Sequence, residues 1–216
     1  MQANLNATGS CCAEMDFWEA NSAATKYTPH TCNKPGLYAC NGDECGLDRL
    51  GVCGHTGCGF NAFKQGVEQF YRPGGIVDTR RPFTVVTQFI TADNTSAGRL
   101  VDIRRLWVQD GKVIENPQAD SGLGNSLTEQ FCGEGTTFYE HGGLKGMGES
   151  LSRGMVLVFS IWNQPDGWMR WLDAGSNGPC DVDDGDPKVI KARTPDTSVT
   201  YSNIRWGEIG STFGAK

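Results

Sequence analysis

Five of the nine cysteines in this 216-residue chain lie between residues 32 and 58, and that clustering constrains the fold before anything else does. Residues 28–62 combine these cysteines with little apolar periodicity, so they read as a stapled loop region. Cysteine at this density points to an oxidising, extracellular compartment, and the chain reads as secreted. Two N-glycosylation acceptor triplets agree, Asn6-Ala7-Thr8 and Asn94-Thr95-Ser96. Nine is odd, so at least one cysteine lacks an internal partner. Cys40-x4-Cys45 and Cys53-x4-Cys58 lack the C-x2-C spacing of a zinc ribbon, so no metal is expected. Met1-Gln2-Ala3-Asn4-Leu5 has no basic residue and no apolar run follows, so the chain reads as a mature product or a fragment.

Glycine makes up 29 of 216 residues, nearly double the average usage of about 7%. Such a chain is loop-rich, and its length suits one domain. No apolar run approaches the roughly 20 residues that span a bilayer, so no membrane partner is expected. A net charge of −6 offers phosphate backbones no counterion-release gain, which argues against nucleic acid. Strand-like runs alternate with turn clusters. Residues 10–19, 83–89, 100–108, 112–115, 155–162 and 199–206 read as strands, with Asp110-Gly111 as a hairpin turn. Residues 143–152 read as a short helix. Regular short strands imply an all-β fold, an antiparallel β-sandwich with long stapled loops.

Glu14, Asp16 and Glu19 lie within six residues, interleaved with Met15, Phe17 and Trp18. Residues two apart share a strand face, so Glu14 and Asp16 point together while Glu19 has the opposite parity. A β-bulge is required to bring Glu19 to the same side. Three carboxyls on one patch cannot all ionise cheaply, so at least one should hold its proton into higher pH. One ionised and one protonated carboxyl is what glycoside hydrolysis with retention needs. The competing reading is an ordinary solvated strand face.

The longer string Gly9-Ser10-Cys11-Cys12-Ala13-Glu14-Met15-Asp16-Phe17-Trp18-Glu19-Ala20-Asn21-Ser22 closely resembles the catalytic signature of glycoside hydrolase family 7, the fungal cellobiohydrolases and endoglucanases. The resemblance continues through Thr28-Pro29-His30, residues 83–89, Gly154 to Leu157, Ser160-Ile161-Trp162, Trp171-Leu172-Asp173 and residues 201–212. It implies a concanavalin A-like jelly roll. It also implies Glu14 as nucleophile, Glu19 as general acid/base and Asp16 as the supporting carboxylate. Trp162 and Trp171 are implied to stack on glucosyl rings, and His30 to line the groove. No cofactor is implied, and the partner is a β-1,4-glucan acted on by a monomer. Implied disulfides are Cys32–Cys53, Cys40–Cys45 and Cys58–Cys132. Cys11, Cys12 and Cys180 are left over, their family partners lying outside this chain. Residues 1–216 therefore read as one partial catalytic domain without its N-terminal half.

Seven residues separate Cys45 from Cys53, and six separate Asp173 from Cys180. Both are positions where exo-acting family members carry long groove-roofing loops, so the resemblance favours an endo-1,4-β-glucanase over a cellobiohydrolase. A non-catalytic carbohydrate-binding sandwich and an inactive fragment are the other readings. Trp107 and Trp206 read as packing residues, Trp168 as a further candidate sugar platform, and His55 and His141 as solvated loop residues. The acidic run 181–186 lacks the spacing and terminal Glu of a calcium loop and reads as a surface turn.

Overall fold

A computed structural model describes residues 8–46 and 51–213. Its strands are β1 (Thr8–Cys11), β2 (Glu14–Ala20), β3 (Thr25–His30), β4 (Tyr38–Asn41), β5 (Tyr71–Arg72), β6 (Val77–Asp78), β7 (Thr84–Thr91), β8 (Leu100–Gln109), β9 (Lys112–Glu115) and β10 (Leu127–Thr128). The helices are α1 (Glu129–Cys132), α2 (Thr137–Glu140), α3 (Gly143–Arg153), α4 (Arg170–Asp173) and α5 (Pro187–Arg193).

β8 is the centre of the larger sheet. β7 pairs antiparallel along one of its edges, while β10 and β9 share the other. β7 is rich in β-branched and aromatic residues, which suit a pleated half-buried surface. Asp110 and Gly111 both adopt positive φ, 51° and 73°, as the tight β8–β9 hairpin turn requires. Period-two alternation puts Ile103, Arg105, Trp107 and Gln109 on one buried face of β8.

That face is covered by a second layer, the β2–β3 hairpin. Met15 and Tyr27 from the hairpin join Ile103, Trp107, Leu127 and Phe70 in one core. Tyr71, Phe83 and Trp107 meet with centroids 5.3–5.7 Å apart, edge-on or tilted. Such ring pairs add about 0.5–1.5 kcal/mol each beyond the area they bury. α3 buries Leu144 and Met147, three residues apart on one helix face, and seals the core from the side. Trp107 is a packing residue as expected, 2% exposed.

The expected disulfides Cys32–Cys53, Cys40–Cys45 and Cys58–Cys132 are formed, and Cys11, Cys12 and Cys180 are free. The stapled region carries more regular structure than cysteine density suggests, since β3 runs to His30 and β4 occupies part of it. The expected strand over 10–19 is two strands, β1 and β2, separated at Cys12 and Ala13, because β1 pairs with β4 and β2 with β3.

Three expectations are corrected. Residues 155–162 and 199–206 form no regular element and belong to no ladder among the described residues, and Asn203 within the second adopts φ 52°. Val156 and Trp206 are each 89% exposed, so Trp206 packs into no core among the described residues. A β-branched run favours extended backbone, but a strand exists only where a neighbour accepts its hydrogen bonds, and neither segment meets one here. His141 is buried rather than solvated. Its ring nitrogens lie 2.5 and 2.9 Å from the Thr137 and Gly51 carbonyls, tying α2 to the cysteine loop. His55 is exposed as expected.

The acidic run is the surface turn expected. Asp186 caps α5 by accepting from Lys188 N at 2.8 Å, and Asp184 pairs with Arg193 at 3.1 Å. Asn94 lies in an exposed turn with φ 59°, while Asn6 lies outside the described residues, as do 47–50 of the short Cys45–Cys53 loop.

Candidate active site

The required bulge is present. Across β2 and β3, Glu14 faces His30, Asp16 faces Thr28, and the register then shifts so that Glu19 faces Lys26. Phe17 and Trp18 together oppose the single residue Tyr27. On β3, residues 26, 28 and 30 share one face by period two, so their partners Glu14, Asp16 and Glu19 share it too. The extra residue reverses the parity of everything after it, which is how Glu19 joins the other two carboxyls.

The three carboxyls have different surroundings. Glu14 is exposed, whereas Asp16 and Glu19 are partly buried. Asp16 Oδ2 lies 3.0 Å from His30 Nε2. The other ring nitrogen, Nδ1, is 3.0 Å from the Gly54 carbonyl. Burial, then the neighbouring Asp16 charge, pushes the Glu19 carboxyl up to about 7. Lys26 and His30 oppose that rise without cancelling it. Thr28 Oγ1 donates to Glu19 Oε2 at 3.4 Å. Lys26 is itself pulled below the usual lysine range by burial, with Glu19 acting in the other direction.

The loop of residues 54–60 forms one wall. Phe60 and Tyr27 exchange backbone hydrogen bonds of 3.3 and 3.1 Å. Gly57, at φ +60°, passes so close that a Cβ there would sit 2.6 Å from Thr28 Cγ2 and 2.8 Å from His30 Nδ1. The glycine is what lets the wall reach the carboxyl face.

The two tryptophans stand beside Lys26 at the Glu19 end. Trp162 and Trp171 stack at 6.2 Å with their planes 20° apart. Lys26 Nζ lies 5.3 Å from the Trp171 ring centroid, so this pair adjoins the Glu19 end of the face. Trp171 Nε1 donates to Gln164 Oε1 at 3.1 Å. The segment is clamped from two sides. Asn21, at the end of β2, donates to Asp173 Oδ2 at 2.7 Å. Asn61 donates to the Leu172 and Asn177 carbonyls at 3.1 and 2.8 Å. Trp168 is held apart, its ring covered by the Arg170 guanidinium at 4.6 Å.

All six expected site residues are thus brought to one region: Glu14, Asp16 and Glu19 on β2, His30 opposite them, and Trp162 with Trp171 at the flank. Sequence reasoning missed Lys26, Thr28, Asn21 and Asn61. The signal for the first two was available, because Lys26-x-Thr28-x-His30 alternates with period two.

The sequence profile of glycosyl hydrolase family 7 matches residues 1–213. The chain belongs to that family. It is 51% identical over 217 residues to a probable endo-beta-1,4-glucanase celB of Aspergillus clavatus, covering 100% of this chain and 51% of that protein. It is 52% identical over 215 residues to the endo-beta-1,4-glucanase celB of Aspergillus oryzae, covering 98% of this chain and 51% of that one. The structure superposes on the native Humicola insolens endocellulase EGI with a TM-score of 0.89 and 46% identity, over 97% of this chain and 53% of the other. These matches place the chain on the β-sandwich fold. The chain spans about half the length of the curated relatives it matches.

Proposed function

We propose that the protein is a secreted, retaining endo-1,4-β-glucanase and that residues 1–216 hold its catalytic carboxyls as part of one catalytic domain. The observation that carries this reading is the register shift between Asp16 and Glu19. It places three carboxyls on one face, with one of them held protonated to about 7.

In this reading Glu19 donates its proton to the glycosidic oxygen while Glu14, exposed and free to approach the sugar, attacks the anomeric carbon. The bond to the leaving sugar breaks and a covalent glycosyl–enzyme ester forms. Glu19, now ionised, takes a proton from water, and that water releases the sugar with its original configuration. Asp16, held by His30, raises Glu19 by its charge and fixes the face between the two reacting groups. Trp162 and Trp171, beside Glu19, offer indole faces to the leaving-group sugars. The Ala174–Cys180 link is closed by one turn at Gly175–Asn177, too short to hold a long roofing loop. An open groove accepts chain interiors.

Proton NMR of the first product from a cello-oligosaccharide tests the mechanism: the β-anomer is expected, and an α-anomer overturns it. Viscometry on a soluble cellulose derivative tests the endo assignment. A rapid viscosity drop before much sugar is released supports it, and cellobiose release without that drop favours a cellobiohydrolase.

A further inference from the structure

The bulge that aims Glu19 has to be held open, and its backbone does not hold it alone. Phe17 and Trp18 have no register partner on β3, so the bulge takes the Phe17 carbonyl out of the ladder. A part-buried carbonyl freed from its ladder still gains from a donor. It receives one from outside the hairpin, because Arg105 Nη2 donates to Phe17 O.

Arg105 is an unusual residue for its position. It sits on the core face of β8 between Ile103 and Trp107 and is 2% exposed. No carboxylate pairs with it among the described residues. Its Nε and Nη1 are buried with no hydrogen-bond partner. Burial draws its guanidinium down to about 10, against the pull of the Tyr27 and Tyr71 hydroxyls, so it remains a cation at acid and neutral pH. The guanidinium lies 4.4 Å from the centroid of Tyr27 and 5.4 Å from that of Trp107. Tyr27 is the residue opposite the bulge. It is fixed in turn by Asn116, which donates to its hydroxyl at 3.3 Å and accepts from Trp107 Nε1 at 3.0 Å. One side chain therefore touches both sides of the bulge, the freed carbonyl on β2 and the opposing ring on β3.

Without the bulge, period two would turn Glu19 to the face of Met15, which is core, and Trp18 to the face of Glu14 and Asp16. We propose that Arg105 is a positioning residue for Glu19, holding the Phe17–Trp18 bulge through the Phe17 carbonyl and the Tyr27 ring so that Glu19 stays beside Asp16. The importance of that placement rests on the catalytic reading above, but the placement itself does not.

The test is NMR on the chain with Arg105→Leu and without substrate. Cross-strand contacts of Lys26 are expected to move from Glu19 to Trp18, and the Glu19 carboxyl is expected to lose its midpoint near 7. A merely structural role for Arg105 would lower thermal stability while leaving that register and titration in place, and this result in a folded variant overturns the proposal. Should Arg105→Leu not fold, the unsubstituted chain still decides. Arg105 Nη hydrogens that exchange slowly and show scalar coupling to the Phe17 carbonyl support the proposal, and freely exchanging ones overturn it. Both readouts stand whether or not Glu14→Gln abolishes hydrolysis, so failure of the catalytic reading is separately visible.

Discussion

His30 sets Nε2 3.0 Å from Asp16 Oδ2 while its Nδ1 meets the Gly54 carbonyl at 3.0 Å, so both ring nitrogens face acceptors. A carbonyl can only accept, and so can an ionised carboxylate. The arrangement is satisfied in full only when the imidazole carries two protons. Burial pulls the other way and is the largest single influence, yet the Asp16 bond, the Gly54 bond and the nearby charges together raise His30 above its ordinary 6.5.

Removing the Asp16 charge should reverse that balance. In Asp16→Asn, burial acts on His30 with weaker opposition, and its titration moves down. Nitrogen-detected NMR of the imidazole reads this directly, and an unchanged or higher midpoint contradicts it. The sign for stability follows. A histidine raised in the folded state stabilises fully below 6.5, and that contribution is lost as pH rises through the folded value. Asp16→Asn should therefore destabilise the chain more at mildly acid pH than at pH 9.

Glu19 governs the alkaline side of the proposed activity. It must be protonated to act as an acid, and its midpoint near 7 predicts that kcat/KM falls as pH rises through that value. Lys26 is the cation facing it across the ladder and lowers the Glu19 midpoint. Lys26→Met should therefore move the alkaline limb to higher pH. A limb that stays put or moves down sinks the assignment of Glu19 to that limb. Folding shows the same group. A carboxyl raised from 4.5 to about 7 favours the folded state at low pH, and stability declines across that window by up to about 3 kcal/mol.

Glu14 and Glu19 should respond differently to the same conservative change. With Glu14 as the proposed nucleophile, Glu14→Gln replaces the attacking carboxylate by a neutral amide and should abolish turnover for every substrate. Glu19→Gln removes proton transfer, which contributes roughly 10²–10⁴-fold, so cellulose hydrolysis should fall by about that factor. Formation of the glycosyl ester from a dinitrophenyl glycoside, whose leaving group needs no proton, should survive. A burst of dinitrophenolate from Glu19→Gln and none from Glu14→Gln is the expected pattern, and the reverse pattern exchanges their roles.

Local signals in the sequence were read correctly where one segment contains its own determinants. The β-branched run of β7, the Asp110-Gly111 turn and the apolar stripe of α3 need no distant partner to be recognised. The carboxyl run showed that a bulge was needed, because the parity of Glu14, Asp16 and Glu19 is arithmetic. It did not show what holds the bulge, since Arg105 is 88 residues away. Alternation along β8 does mark Arg105 as an arginine in a core position, and that was the signal to follow. Residues 155–162 failed for the opposite reason. Their pattern describes a strand, but no neighbour among the described residues accepts their hydrogen bonds. His141 failed because glycines around it say nothing of which carbonyls its ring will meet.

The crosslinks offer a prediction from loop length. Cys58–Cys132 closes a separation of 74 residues and joins the site wall at residues 54–60 to the end of α1. Cys40–Cys45 closes only 5 residues around a single turn. If the bonds act by restricting the unfolded chain, removing the long one should cost about 4 kcal/mol and the short one about 2 kcal/mol. The double variants Cys58→Ala/Cys132→Ala and Cys40→Ala/Cys45→Ala, compared by denaturant unfolding, should rank in that order. The long crosslink also anchors Gly57 over Thr28 and His30, so its loss should loosen the wall as well. Faster amide exchange at residues 54–60 in the first variant alone would bear this out. Equal exchange in both would show that the Tyr27–Phe60 hydrogen bonds hold the wall unaided.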